Sequence, residues 1–152
     1  MAVSRVRVFV DADALLSGAV APAEQGDSHL VLCLGEIHLI DAVTSRQAVI
    51  EAERTLAQKL PRALSAFRLL VDRALVVVPD PDWIDLIPYQ GAAGPRHLPI
   101  LVAALQSRCT FLLSHDPRHF RPGHASLSVL SPEFVLQLRE HLSRRDAGCL
   151  GT

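Results

Sequence analysis

RVFVDADALL, residues Arg7–Leu16, joins an apolar run to two carboxylates one residue apart, and a helical pattern follows them. Val and Phe favour strands, and a short apolar run bounded by charge is typical of a buried parallel strand. In open α/β sheets, ligands bind outside the carboxyl ends of the strands, where this run would place Asp11. An equally weighted interpretation is that Asp11 or Asp13 only caps the following helix, since Asp is a preferred N-cap residue.

A second apolar run, CTFLLSHD at Cys109–Asp116, also stops at a carboxylate. If the two strands are parallel neighbours, Asp11 and Asp116 meet at the same edge of the sheet. Two adjacent carboxylates repel each other, which raises the pKa of one of them unless a cation intervenes. An all-oxygen cluster is the setting that Mg²⁺ and Mn²⁺ prefer. The working hypothesis is therefore an acidic site for a divalent metal ion.

Composition predicts a globular protein of the cytoplasm. The chain has 152 residues, of which 49% are hydrophobic, so we expect one domain over residues 1–143 and a flexible polar tail over 144–152. A net charge of −1 argues against strong non-specific binding to nucleic acid, although a local basic patch is compatible with it. Three widely spaced cysteines predict neither a disulfide framework nor a zinc ribbon, and no apolar run is long enough to span a membrane.

Strand-like and helix-like patterns alternate along the chain, which favours a three-layer α/β/α fold with a mostly parallel central sheet of about five strands. The predicted strands are 6–11, 37–43, 74–79, 110–114 and 127–130. The predicted helices are 12–19, 28–34, 46–58, one after Pro61, 99–106 and one that opens at Ser131.

Two further segments have alternative interpretations. Glu51 and Glu53 lie beside the apolar stripe of the predicted helix 46–58, where one of them could reach the strand ends, although a solvated face is the favoured interpretation for helical glutamates. The predicted loop 80–95 contains Trp83 and Tyr89, the only Trp and the only Tyr of the chain. They could stack on nucleic-acid bases, but covering the edge of the core is the favoured interpretation.

Four stretches together resemble PIN domains. VFVDADALLS resembles the opening strand and first acid of that family, and SRQAVIEAERTL resembles the helix that carries its second acid. LPILVAAL and the later LLSHDPRHF are similar to its last two motifs. The resemblance runs from residue 6 to about residue 140. It implies a ribonuclease that uses Mg²⁺ or Mn²⁺, and many bacterial members are toxins of toxin–antitoxin modules.

Carried over residue by residue, the resemblance makes Asp11, Glu51 and Asp116 the metal-binding and catalytic carboxylates. Glu53 is the alternative register for the second acid. Asp13 and Ser114 fall at positions that are polar in the family and lie near its site. The resemblance also implies an RNA substrate, a cognate antitoxin and a homodimer.

One position departs from the family pattern. His97 stands where PIN domains usually have an Asp, and no acid lies between Asp85 and Asp116 to replace it. A nitrogen ligand suits Mn²⁺ better than Mg²⁺. The departure therefore leaves three interpretations open: a preference for Mn²⁺, a single ion instead of two, or an impaired module that only binds RNA or protein.

The basic loop after Asp116 completes the candidate site. Arg118 and His119 could contact phosphates beside the scissile bond, with solvent-exposed loop residues as the favoured alternative for the histidine. The sequence therefore predicts hydrolysis of RNA phosphodiester bonds by a metal held at three carboxylates.

Overall fold

A five-stranded sheet lies at the centre of the protein, in a computed structural model that describes residues 5–20, 32, 35, 39–131 and 144. The strand order is β3-β2-β1-β4-β5, and every neighbouring pair is parallel. The strands are β1 (Arg7–Val10), β2 (Asp41–Ser45), β3 (Val76–Val78), β4 (Phe111–Leu113) and β5 (Ser128–Leu130).

The central strand β1 forms the core of the sheet. Val8, Phe9 and Val10 are almost completely buried, as expected for a parallel strand covered on both faces. Phe9 lies opposite Val43 of β2 on one side and opposite Leu112 of β4 on the other. Because these strands are parallel, their carboxyl ends lie along one edge, which is where the polar residues after β1 and β4 come together.

The helices cover both faces of the sheet and confirm the predicted three-layer α/β/α arrangement. Helices α1, α2 and α3 pack against one another, whereas α5 packs against β2 and α4. The described residues contain α1 (Ala12–Val20), α2 (Arg46–Lys59), α3 (Leu64–Ala74), α4 (Trp83–Leu86) and α5 (Leu98–Gln106). Short 3-10 turns are present at Pro61–Ala63, Ile87–Tyr89 and Pro117–Phe120.

Three predicted boundaries are wrong. The second strand begins at Asp41 instead of residue 37, because residues 39 and 40 form a bend. It also continues to Ser45, beyond its predicted end at residue 43. The third strand is shorter than predicted, since Ala74 still belongs to α3. The predicted loop 80–95 contains α4, which a capping box stabilises. In this box the Asp82 side chain accepts a hydrogen bond from the Asp85 backbone, and the Asp85 side chain accepts one from Asp82 N.

Most of the predicted helix 28–34 and most of the last predicted helix lie outside the described residues. In the predicted tail only Arg144 is described, and it is helical and exposed. In the ranges that the structure describes, no helix combines the length and the apolar character that crossing a membrane requires.

Candidate active site

Asp11 lies at the carboxyl end of β1, where the sheet fixes its position. Its backbone N–H donates to Leu113 O (3.0 Å), which continues the pairing of β1 with β4. The buried Thr44 hydroxyl donates to Val10 O (2.8 Å) from the other side. The Asp11 side chain accepts a hydrogen bond from Ala12 N (2.8 Å) at the start of α1. Asp11 O also accepts from Leu15 N (2.9 Å), so Asp11 immediately precedes the helix and lies at the strand ends, but its side chain bonds the adjacent Ala12 N–H and not the N2 or N3 N–H of a standard cap.

The Asp11 carboxyl group is buried among other acids. It is 7% exposed. Burial first, then the Asp13 carboxylate and more weakly that of Glu51, raise its pKa from 3.8 to about 7. Hydrogen bonds from Ala12 and the Ser114 hydroxyl act in the opposite direction. A carboxylate whose charge is this unfavourable gains from a nearby cation.

Asp11 opens into a polar cleft of about 440 Å³ at the carboxyl edge of the sheet. Three acids, two arginines and two histidines line most of this cleft. They are Asp11, Asp13, Glu51, Arg54, Arg96, His97 and His119, with Thr55 and Leu16 beside them. The structure thus brings the predicted residues Asp11, Glu51, Asp13 and His97 to one place.

Helix α2 carries Glu51 into this cleft. The Ser45 side chain caps the helix by accepting a hydrogen bond from Ala48 N (3.3 Å). Gln47, one helical turn before Glu51, donates from Nε2 to Glu51 Oε1 (3.2 Å). Glu53 lies elsewhere, since it accepts from Arg68 Nε (3.3 Å) in a separate cleft between α2 and α3. Of the two candidate registers for the second acid, only Glu51 is at the cleft.

Asp13 is held in place by the segment after β4. One carboxylate oxygen accepts from the Ser114 hydroxyl (3.3 Å), and both accept from His115 N (3.2 Å). Ser114 is fully buried, and its hydroxyl also contacts Asp11. Ser114 therefore connects two of the acids, a structural role that agrees with its predicted place beside the site.

Asp116 does not line the cleft. Its carboxylate accepts two hydrogen bonds from the Arg118 guanidinium, from Nε at 2.9 Å and from Nη2 at 3.2 Å, and a third from Arg118 N at 3.3 Å, and His119 Nε2 lies 3.3 Å from it. The Arg118 hydrogen bond lowers the pKa of Asp116 below its usual range. The structure therefore pairs the third predicted acid with the two residues that were predicted to contact phosphates.

His97 and His119 stack face to face, with ring centroids 4.2 Å apart and an interplanar angle of 11°. The edge of His97 also meets the ring of Phe120 at 5.5 Å. Burial, followed by His119 and Arg96, lowers the pKa of His97, which favours the neutral imidazole. Neutral imidazole is the form that can act as a metal ligand.

The donor set of the cleft fits a hard divalent cation in its chemistry. Asp11, Asp13 and Glu51 provide carboxylate oxygens, and burial together with the neighbouring Asp13 and Glu51 carboxylates makes the charge on Asp11 unfavourable without a cation. Across the described ranges, no three His, Cys, Asp or Glu side chains are already spaced as a ligand group. The Asp116 carboxylate is engaged by Arg118 outside this donor set.

Arg54, Thr55 and the stack of His97 on His119 are features of the cleft that sequence reasoning missed. Arg54 and Thr55 follow Glu51 by three and four residues, so they share its face of α2. That spacing could have identified them. The histidine stack joins residues 22 positions apart, and no local pattern predicts it.

Comparison with known proteins identifies the fold through solved structures. No family model and no curated protein sequence matches the chain. The VapBC2 structure from Rickettsia felis, bound to a DNA fragment from its promoter, matches with a TM-score of 0.62 and 12% identity over 83% of this chain and 98% of that one. PAE2754 from Pyrobaculum aerophilum matches with a TM-score of 0.61 and 16% identity over 91% of this chain and 96% of that one.

A third match is VapC20 from Mycobacterium tuberculosis, described as a toxin that cleaves the sarcin-ricin loop. Its TM-score is 0.55 and its identity 14%, over 78% of this chain and 97% of that one. At identities this low, the matches establish the fold alone. Their high coverage shows that the fold is shared along nearly the whole length of the matched chains. The protein therefore has the PIN-domain fold of the VapC type.

Proposed function

We propose that the protein is a metal-dependent ribonuclease that hydrolyses RNA phosphodiester bonds at the cleft beside Asp11. The observation that carries this proposal is the convergence of Asp11, Asp13 and Glu51 in one cleft, with the pKa of the buried Asp11 raised to about 7. A buried acid that is costly to ionise is typical of a functional site. The sarcin-ricin loop cleaving activity of VapC20, a protein of the same fold, supports the same reaction class.

Asp11 and Glu51 would hold Mg²⁺ or Mn²⁺, and Asp116 would join them once its carboxylate leaves Arg118. The bound ion would lower the pKa of a coordinated water and stabilise negative charge on the phosphate oxygens. Ser114 donates a hydrogen bond to Asp13 and contacts Asp11, so it holds the two carboxyl groups in fixed positions relative to each other. His97 offers a nitrogen donor at the same cleft, which favours Mn²⁺ over Mg²⁺.

The basic residues of the cleft would bind the RNA backbone. Arg54 and Arg96 line the cleft beside the acids, and guanidinium groups bind phosphates through paired hydrogen bonds. When Asp116 turns toward the metal, Arg118 is released and can contact a phosphate too. The net charge of −1 provides no long-range attraction for RNA, so binding would depend on this local patch.

A role as the toxin of a type II toxin–antitoxin module is part of this proposal. The structural matches to VapBC2 and VapC20 support this role. In this role the protein would act in the cytoplasm as a homodimer, bind a cognate antitoxin and lose its ribonuclease activity in that complex.

The alternative function is an impaired PIN-type module that only binds RNA or protein. His97 at the usual acid position and the ion pair of Asp116 with Arg118 favour it. This alternative predicts binding without cleavage, so an activity measurement separates the two functions.

Glu51 and Glu53 provide a matched pair of variants for that measurement, since they lie on the same helix but only Glu51 is at the cleft. Residues that merely support a metal ligand contribute about 10- to 100-fold to activity. We therefore expect Glu51→Gln to lower Mn²⁺-dependent RNA cleavage by at least about 100-fold. Glu53→Gln should retain most of the activity. Equal activity of both variants, or no cleavage by the wild type with either ion, would contradict the proposed function.

A further inference from the structure

We infer that an apolar cavity beside Trp83 binds an unpaired nucleobase of the RNA that occupies the acidic cleft, an inference that rests on the proposed ribonuclease function. The cavity has a volume of about 580 Å³, within the range of small-molecule sites. Its walls are mostly apolar and include one side-chain amide. The lining residues that matter here are Trp83, Leu86, Ile87, Gln90, Pro95 and Leu98.

Trp83 presents an aromatic surface that the core does not use. Its side chain is 72% exposed, so the interpretation that it covers the core edge is wrong for this residue. Tyr89, by contrast, is half-buried, packs against the core and meets the ring of His124 at 5.8 Å. The capping box at the start of α4 fixes the first turn of that helix, which positions Trp83 on one face with Leu86. Exposed aromatic rings of this kind bind bases by stacking.

The cavity and the acidic cleft share one wall. Pro95 and Leu98 line the cavity, whereas Arg96 and His97, which lie between them in the chain, line the cleft. Two backbone hydrogen bonds define this turn, since the N–H groups of His97 and Leu98 both donate to Gly94 O at 2.9 Å. A nucleotide strand can therefore pass from the cleft to the cavity across the exposed Arg96. The Arg96 guanidinium is then placed to bind the phosphate between them.

Charge and hydrogen-bonding groups define how a nucleotide would enter. Asp82 and Asp85 lie at the start of α4, where their carboxylates would repel phosphates, so the backbone must stay on the Arg96 side. Only the uncharged base then reaches Trp83. The exposed amide of Gln90 lines the cavity and can both donate and accept hydrogen bonds, as the edge of a base requires.

The size of the exposed apolar surface favours a base over a protein partner. Ile84 and Ile87 are exposed beside Trp83, and the three side chains together offer on the order of 400 Å². A standard protein interface buries about 800 Å² on each partner, of which a little over half is apolar, so a protein partner would also need a matching polar rim around this patch. A stacked base needs only the Trp83 ring and its apolar neighbours, and we therefore assign the patch to a base.

Because Trp83 is the only Trp of the chain, its fluorescence reports directly on the cavity. The experiment titrates the full chain with a single-stranded adenosine octamer in EDTA, and separately with the same octamer carrying abasic sites. We expect saturable quenching by the intact octamer and little by the abasic one. Anisotropy of a labelled octamer should show binding weakened at least about fivefold by Trp83→Ala. Leu69→Ala, which truncates an exposed apolar residue on α3, should bind like the wild type.

The inference is overturned by equal quenching from the abasic octamer, or by unchanged binding of the Trp83→Ala variant. It is also overturned if light scattering on the same samples shows that Trp83→Ala dissociates an oligomer, because the patch would then be a protein interface. A parallel cleavage assay with Mn²⁺ separates this inference from the proposed function. Cleavage without quenching refutes only the base site, whereas quenching by an RNA that the protein never cleaves refutes only the ribonuclease.

Discussion

Replacing Asp11 with Asn is expected to stabilise the metal-free protein at neutral and higher pH while leaving its stability unchanged in acid. The Asp11 carboxyl group is buried, and its folded-state pKa of about 7 lies above its ordinary value of 3.8. The native state therefore holds this proton more tightly than the unfolded chain does. The resulting stability is fully present below about pH 4 and is lost as the pH rises through about 7.

The magnitude follows from the size of the pKa change. At about 1.4 kcal/mol per pH unit, a rise from 3.8 to about 7 corresponds to an upper limit of about 4 kcal/mol at alkaline pH. Asn has the same shape and keeps an oxygen that can accept the hydrogen bond from Ala12 N, but it carries no charge to bury. The free energy of unfolding of the variant should therefore rise relative to that of the wild type by up to about 1.4 kcal/mol for each pH unit between about 4 and 7.

Urea denaturation in EDTA across this pH range measures the difference directly. Asp72→Asn, an exposed change on α3, is the matched control, and surface substitutions of this kind alter the free energy of unfolding by about 0.5 kcal/mol at most. A difference between Asp11→Asn and the wild type that does not vary with pH would refute the reasoning. So would a variant that is less stable than the wild type at about pH 8.

Three further predictions concern the metal, the ion pair and the helix cap. Because a metal ligand must be deprotonated, Mn²⁺ affinity measured by calorimetry should fall by up to about tenfold per pH unit below the Asp11 pKa of about 7, and a flat profile would exclude Asp11 as a ligand. Arg118→Ala releases Asp116 and should raise Mn²⁺ affinity by up to about fivefold, whereas unchanged affinity would place Asp116 outside the metal site. Ser45→Ala removes the cap on Ala48 N and should lower the free energy of unfolding by about 1 kcal/mol in urea, with an unchanged value contradicting the cap.

The order of strands and helices was predictable because apolar runs and helical stripes are local patterns. The RVFV run of β1 was identified almost to the residue, and the predicted start of helix α2 at residue 46 is correct. Helix α4 was missed because prolines and aspartates suggested a loop, although the spacing of Asp82 and Asp85 fits a reciprocal cap. The start of β2 was missed because its apolar pattern continues upstream into a bend.

The candidate site was predictable only where the sheet fixes it. Asp11 follows directly from β1, and its place at the strand ends needs no further information. The orientation of Asp116 depends on the rotamers of Arg118 and His119, which no residue pattern encodes. The selection of Glu51 over Glu53 likewise depends on a tertiary contact, the pairing of Glu53 with Arg68 on the neighbouring helix.

The most direct test titrates Mn²⁺ and Mg²⁺ into the wild type and Asp11→Asn, with calorimetry and RNA cleavage followed in the same samples. The urea experiment provides the folding control, because the variant is expected to be at least as stable as the wild type at neutral pH. We expect the wild type to bind the ion and cleave RNA, with Mn²⁺ preferred, and the variant to do neither. Cleavage that survives in Asp11→Asn, or a wild type that binds neither ion, would contradict a metal-dependent ribonuclease site at Asp11.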